Sequence, residues 1–269
     1  MWNWKATYIC EQVTALDSYG LWTNGMDYDA YQAMKIHSLS DLKYFPNLYS
    51  LYLYEQSGIE DFSCVNWCQL LGNLDLRDCG ITDVSFISEM PYLTYLNLEN
   101  NQVTDIMPIA QQDHLYQINI SGNPLNDISG LSKLKNLNSL SVNVEQMKDI
   151  SVLKEFDNLI YIYRHDDVDL SALGHLTNLQ NLSIEYEYRD NEYYNDRVFV
   201  TDISYLENLT NLTYLSISCL EDLSQVKYLK GLKNLQNLSL YNRKNVDAKE
   251  DADIIRDLQQ ALPQCNINY

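Results

Sequence analysis

Positive charge is scarce in this chain. Lys and Arg total 18 against 37 Asp and Glu, a formal net charge of −19. Such a surface repels polyanions, so neither nucleic acid nor an anionic membrane is expected as a partner. Long apolar runs are missing too: no stretch approaches the roughly 18 apolar residues that a membrane-crossing helix needs. Residues 1–20 hold no basic start followed by an apolar stretch, so no export leader is visible. A cytoplasmic chain is expected, or else the mature portion of an exported one. The six cysteines (Cys10, Cys64, Cys68, Cys79, Cys219, Cys265) make no C-x-x-C, and no histidine stands at metal-ligand spacing from a pair. Cys64 and Cys68 could face one another across a turn, but core packing is the better reading, and scattered cysteines lean toward a reducing compartment. No nucleophile–base arrangement, phosphate loop or metal motif appears, so no enzyme and no cofactor is expected.

What the chain does have is a period. Leu74, Leu96, Ile118, Leu140 and Ile162 are each 22 residues apart within an L-x-x-L-x-L frame. An aspartate follows at +9 (Asp83, Asp105, Asp127, Asp149) or, for Ile162, at +7 (Asp169). A fixed period with this consensus is the mark of a leucine-rich repeat, in which each turn contributes one strand to a stack. The expected fold is therefore α/β: a right-handed solenoid with a parallel β-sheet on its concave face and short 3₁₀ or helical turns on the convex one.

Numbering from the first leucine of the frame, nine turns start at Leu48, Leu71, Leu93, Leu115, Leu137, Leu159, Leu179, Leu212 and Leu235. Positions 4 and 6 point inward, and positions 3, 5 and 7 line the concave side. Residues 1–35 read as an N-terminal cap with an imperfect first turn (Val13 and Leu16 its strand), residues 36–247 as the array, and residues 248–269 as a C-terminal cap. In that cap Ile254, Ile255, Leu258 and Leu262 have helical spacing, Pro263 stops the helix, and residues 265–269 form a last extended piece. Asp41, Asp61, Asp83, Asp105, Asp127, Asp149, Asp169, Asp202 and Asp222 recur ahead of short apolar turns, where a carboxylate can accept from the free N–H groups that open a helical turn.

Two segments carry a resemblance. Leu93-Thr-Tyr-Leu-Asn-Leu-Glu-Asn-Asn-Gln-Val-Thr-Asp-Ile106 and Leu209-Thr-Asn-Leu-Thr-Tyr-Leu-Ser-Ile217 resemble the 22-residue class shared by bacterial internalins and SDS22-type phosphatase regulators. The tail Leu262-Pro-Gln-Cys265 is similar to the closing segment of many bacterial leucine-rich-repeat proteins. The resemblance covers residues 36–269 and implies the fold. It also implies an asparagine at position 9, with its amide satisfying backbone groups between turns. Here that column reads Gln56, Cys79, Asn101, Asn123, Glu145, Asp167, Glu187, Leu220, Arg243.

The repeat breaks in two places. Glu145, Asp167 and Glu187 would stack on successive turns about 5 Å apart, close to Arg164, which this frame puts in the leucine slot at position 6. Loosened turns that let these side chains reach solvent are the expectation, because buried unpaired charge is unfavourable; an oxygen cluster for a hard cation is the alternative. The second break is an insertion around residues 186–200, rich in tyrosine and acid, which stretches Leu182 to Leu215 to 33 positions.

Of the 27 residues at positions 3, 5 and 7, seven are tyrosine: Tyr52, Tyr54, Tyr95, Tyr161, Tyr163, Tyr214 and Tyr241. Chance placement would give about two, and strand preference explains only part of the excess, since phenylalanine and tryptophan are absent from the same places. Tyrosine offers large contact area and a hydroxyl at low entropic cost, as interfaces require. The candidate site joins these to Asp75, Arg77, Glu99, His165 and Glu185, with Tyr186, Tyr188, Tyr193 and Tyr194 from the insertion. The expectation is a monomeric, non-catalytic module that binds a protein with a polar or weakly basic patch. A bacterial surface or secreted adhesin-like module recognising a glycan or a host protein is the alternative.

Overall fold

The computed structural model describes residues 15–17, 38–144, 147, 150–155, 159–164, 170–186, 199–241 and 248–269. The chain divides into two compact units, residues 1–137 and 138–269.

The first unit holds five short parallel strands in chain order: β1 (Ala15–Asp17), β2 (Ser50–Tyr52), β3 (Asn73–Asp75), β4 (Tyr95–Asn97) and β5 (Gln117–Asn119). Leu16, Leu51, Leu74, Leu96 and Ile118 stand side by side, so the position-4 column of the sequence is one row of the sheet. That row and the position-6 row (Leu53, Leu76, Leu98, Ile120) are buried from Leu51 onward. Beyond β2 to β5 the chain turns left-handed at position 8, at Glu55, Asp78, Asn100 and Gly122. At Gly122 the choice of residue is forced: φ is +67°, and any side chain would strike Asn100.

Two of the position-9 residues then do what the resemblance implies. Asn101 Oδ1 accepts from the N–H groups of Cys79 (3.1 Å) and Ile81 (3.0 Å), and its Nδ2 donates to the carbonyls of Leu76 (2.8 Å) and Leu98 (2.9 Å). Asn123 repeats the pattern one turn on, accepting from Val103 and donating to Leu98 and Ile120. A buried amide that pairs backbone groups of two turns spares each of them a desolvation cost of about 1–3 kcal/mol. In the same column Cys79 is buried, and burial pushes its thiol up to about 12.

The returning limbs are 3₁₀ segments, as their shortness predicts: Ser40–Tyr44, Ser63–Trp67, Ser85–Glu89, Ile109–Gln111 and Ser129–Lys133 in the first unit. Asp61, Asp83, Asp105 and Asp127 each accept, through Oδ1, from the backbone N–H two residues on, at 2.7–2.8 Å. Asp202 and Asp222 do so in the second unit. Asp41 is a correction: it lies inside the first 3₁₀ segment, and Ser38 takes the capping place, its hydroxyl accepting from Ser40 N–H at 3.2 Å. Asp149 and Asp169 lie outside the described residues.

The second unit holds β6 (Ser139–Asn143), β7 (Leu159–Arg164), β8 (Asn181–Tyr186), β9 (Tyr214–Ser218), β10 (Asn237–Tyr241) and β11 (Asn266–Asn268), again parallel and in chain order. Its 3₁₀ segments are Ser151–Glu155, Ser171–His175, Ser204–Asn208 and Leu223–Gly231. The 33-residue step is absorbed without disturbing the ladder: Leu182 pairs with Leu215, and Val200 returns to bridge Leu220. The α-helix Ala248–Ala261 follows. It buries Ile255 and Leu258, and β11 then closes on β10.

Here the structure corrects the frame. Ile160, not Ile162, pairs with Leu140 on one side and Leu182 on the other. Ile160 therefore occupies position 4 and Ile162 position 6, and both are fully buried. The turn starting at Leu137 is two residues short, and Leu159 falls at position 3. A two-residue slip keeps every side chain on its own face of the sheet. What it changes is Arg164, which leaves the leucine slot for position 8, past the core rows, so the fold puts two isoleucines where the uniform frame puts an isoleucine and a charge. The sequence held the signal: counted from Ile160, Asp169 falls at +9 like the other aspartates.

Candidate functional site

The outward rows form two groups, one in each unit. In the first, Tyr52, Tyr54, Tyr95, Arg77 and Glu99 are partly exposed, as the period predicts. Asp75 is not: it is 3% exposed and belongs to the floor. Its carboxylate accepts from Arg77 Nε (3.0 Å) and Nη2, and from Asn97 Nδ2 at 3.2 Å. This hydrogen bonding holds the guanidinium firmly charged and sets it 5.8 Å from the centre of the Tyr54 ring, within cation–π range. Burial, then the hydrogen bond to Glu55, push the Tyr54 hydroxyl up to about 12. Asp17, Tyr52, Leu53, Tyr54, Asp75 and Arg77 line an open hollow of about 360 Å³. Further along, Asn119 donates to Glu99 at 3.2 Å. Asp75 and Glu99 are thus both engaged from within the unit, beside tyrosine rings and one guanidinium.

In the second unit the floor is made of hydroxyls. Ser139, Ser183, Ser216 and Ser218 are at most 9% exposed. Small side chains at these row positions let larger neighbours lie over them. Tyr241 reaches from β10 across β9 to β8, its hydroxyl donating to Glu185 Oε2, while Ser183 and Ser216 (3.4 Å) donate to Oε1. Tyr161 and Tyr214 are half-buried beside this group. Burial foremost, then the neighbouring Tyr214 and Glu185, raise the Tyr161 hydroxyl above its ordinary value, and burial with the Glu185 bond does the same for Tyr241. A carboxylate fixed by three hydroxyl donors in a wall of phenols is a preorganised, hydrogen-bonding, weakly anionic patch.

The strand backbones of Tyr163 and Tyr186 are described, at outer registers of β7 and β8, but their side chains are not. His165, Tyr188, Tyr193 and Tyr194 lie outside the described residues, as do Glu145, Asp167 and Glu187. Among the described residues no group of three His, Cys, Asp or Glu is placed to hold a metal ion, and no helix is long and apolar enough to cross a membrane.

A further set of exposed side chains escapes the count of positions 3, 5 and 7. At positions 0 and 2, where the chain enters each strand, the first unit carries Tyr49, Leu70, Tyr92 and Tyr116, between 46% and 56% exposed. The second unit carries Asn178, Gln180, Asn211, Thr213, Asn234 and Gln236 in the same two columns, lining a polar hollow of about 440 Å³. A column-by-column reading extended to those variable positions would have found both.

The comparisons with known proteins agree with this architecture. A family model described as Leucine Rich repeats (2 copies) matches residues 72–111. No curated protein matches the chain. Among solved structures the chain is similar to an internalin (inlF) from Listeria monocytogenes, with 22% identity over 98% of this chain and 82% of that one, at a TM-score of 0.58. An internalin C2 (inlC2) from the same organism is 20% identical over 88% of this chain and 84% of that one, at a TM-score of 0.49. The chain has the leucine-rich-repeat fold of the internalin type.

Proposed function

We propose that the outward strand face is a non-catalytic binding surface for a protein partner, with the tyrosine wall of the second unit as its anchor. One observation carries the reading. Tyr161 and Tyr214 stand half-buried, and the exposed Tyr241 is tied to Glu185, so that ring is held in place before any partner arrives. Rigid tyrosines cost little entropy to dock and bear most of the energy in many interfaces. Glu185 gives the patch a weakly anionic centre, and its complement is a polar or weakly basic surface.

The test is capture with the wild-type chain and with the double variant Tyr161→Ala/Tyr214→Ala. A partner of this face is expected in the first and lost from the second, each ring contributing about 1–2 kcal/mol of affinity, while both proteins melt alike. If every protein captured by the wild type is retained undiminished by the double variant, the assignment fails.

A further inference from the structure

The entry edge of the first unit differs chemically from the strand face. Asn73, Thr94, Tyr95, His114, Tyr116, Gln117 and Asn136 line a shallow hollow of about 670 Å³ there. Three columns supply them over consecutive turns: position 0 (His114, Asn136), position 2 (Thr94, Tyr116) and position 3 (Asn73, Tyr95, Gln117). None of the seven is Asp, Glu, Lys or Arg, in a chain whose net charge is −19.

Three of the seven hydrogen-bonding side chains are already oriented. Asn73 Nδ2 donates to Ser50 Oγ (3.0 Å), Asn136 Nδ2 donates to the Asp113 carbonyl (2.6 Å), and Thr94 Oγ1 donates to the Gly72 carbonyl (3.0 Å). Each bond orients its side chain and leaves an oxygen as acceptor. Beside these acceptors stand two phenol rings, Tyr116 at 53% exposure and Tyr95 partly covered. An ionic ligand would find no carboxylate, ammonium or guanidinium among these seven side chains. A purely apolar ligand would strip water from the amides and give no bond back. The lining calls for an uncharged molecule rich in hydroxyl donors, with flat C–H faces to lie on aromatic rings.

We propose that this hollow binds a neutral oligosaccharide, stacked on Tyr116 and Tyr95 and hydrogen-bonded through Asn73, Gln117, Asn136 and His114. The hollow shares no residue with the tyrosine wall of the second unit. There the same entry columns are amides and a threonine with no ring, so acceptors are present without a stacking surface.

The experiment is a titration of the whole chain, followed by calorimetry and tyrosine fluorescence, with neutral gluco-, manno-, galacto- and chito-hexasaccharides and one sulfated oligosaccharide. Saturable binding of at least one neutral sugar is expected, unchanged between low and high salt. Tyr116→Ala should weaken it about tenfold or more, the scale of one lost stacking contact. Tyr241→Ala should bind as the wild type does. Because Tyr116 is half in solvent, its variant should keep the wild-type melting temperature; a second variant, His114→Glu, should weaken binding by adding charge to the hollow. Absence of binding to all four neutral sugars overturns the proposal. So does preference for the sulfated one, or loss of sugar binding in Tyr241→Ala with retention in Tyr116→Ala. Capture of a protein at this edge that depends on Tyr116, without sugar binding, overturns it equally.

Discussion

The two units solve one architectural problem with different chemistry. In the first, each strand is three residues long, and behind β3 and β4 a buried asparagine stitches one turn to the next. In the second, β6 to β10 run for five or six residues, and the one described residue of the asparagine column, Leu220, is fully buried and apolar. A buried asparagine satisfies backbone groups of two turns, whereas a buried leucine contributes by filling the core. The outward rows differ in step: the first unit pairs Asp75 with Arg77 and hydrogen-bonds Asp75 and Glu99 through Asn97 and Asn119, whereas the second gathers hydroxyl donors around Glu185.

The sharpest way to break this contrast is at the ladder. Asn101→Ala leaves two buried N–H groups and the carbonyls it served unsatisfied, and should cost about 4 kcal/mol. Leu220→Ala, in the same column, should cost about 3 kcal/mol through its cavity alone. Urea unfolding reads both, and Asn101→Asp separates the mechanisms, since it keeps the acceptor but loses the donors. An Asn101→Ala protein as stable as the wild type would show that the ladder carries no load.

The register of β7 offers the next test. Ile160→Ala should destabilise by about 3 kcal/mol as a core truncation, and Arg164→Ala by less than about 0.5 kcal/mol as a change outside the core rows. The reverse order would restore the uniform 22-residue frame and put Arg164 back at position 6.

The smallest effect is a pH dependence shared by both units. Tyr54, Tyr95, Tyr161 and Tyr241 all hold their protons above the ordinary tyrosine range, chiefly through burial. The unfolded chain releases them near pH 10, so above that the folded state binds more protons and stability falls as pH rises. Their contribution is complete below about pH 10 and, for Tyr54, is lost as pH passes about 12. Urea midpoints measured on either side of pH 10 should fall with pH, and Tyr54→Phe should flatten part of that slope. An unchanged slope would remove Tyr54 from the account.

Much of the fold was legible because leucine-rich repeats write it in columns. Leu74, Leu96 and Ile118 are 22 residues apart and lie side by side, and Asp83, Asp105 and Asp127 cap the 3₁₀ segments that follow. The misreading at Arg164 came from extending one period through a turn two residues short. Burial decided that register, because two isoleucines fill the core rows where the uniform period would have placed a guanidinium. Asp75 was misplaced for a related reason: its outward position was correctly read, but an arginine two residues on and an asparagine on the next strand cover it. Tyr92 and Tyr116 were missed because their columns are variable, and exposure there is set by neighbouring turns.

The sequence by itself determined the repeating strand, the inward rows and the capping aspartates, since each depends on residues close together in the chain. Only the tertiary structure decided which outward side chains meet, because Tyr241 and Glu185, or Asn73 and Tyr116, come together only through the stacking of separate turns. Short-range periodicity fixes which face a residue is on; the register between turns fixes what it touches, and that is set by which apolar side chains the core can accept.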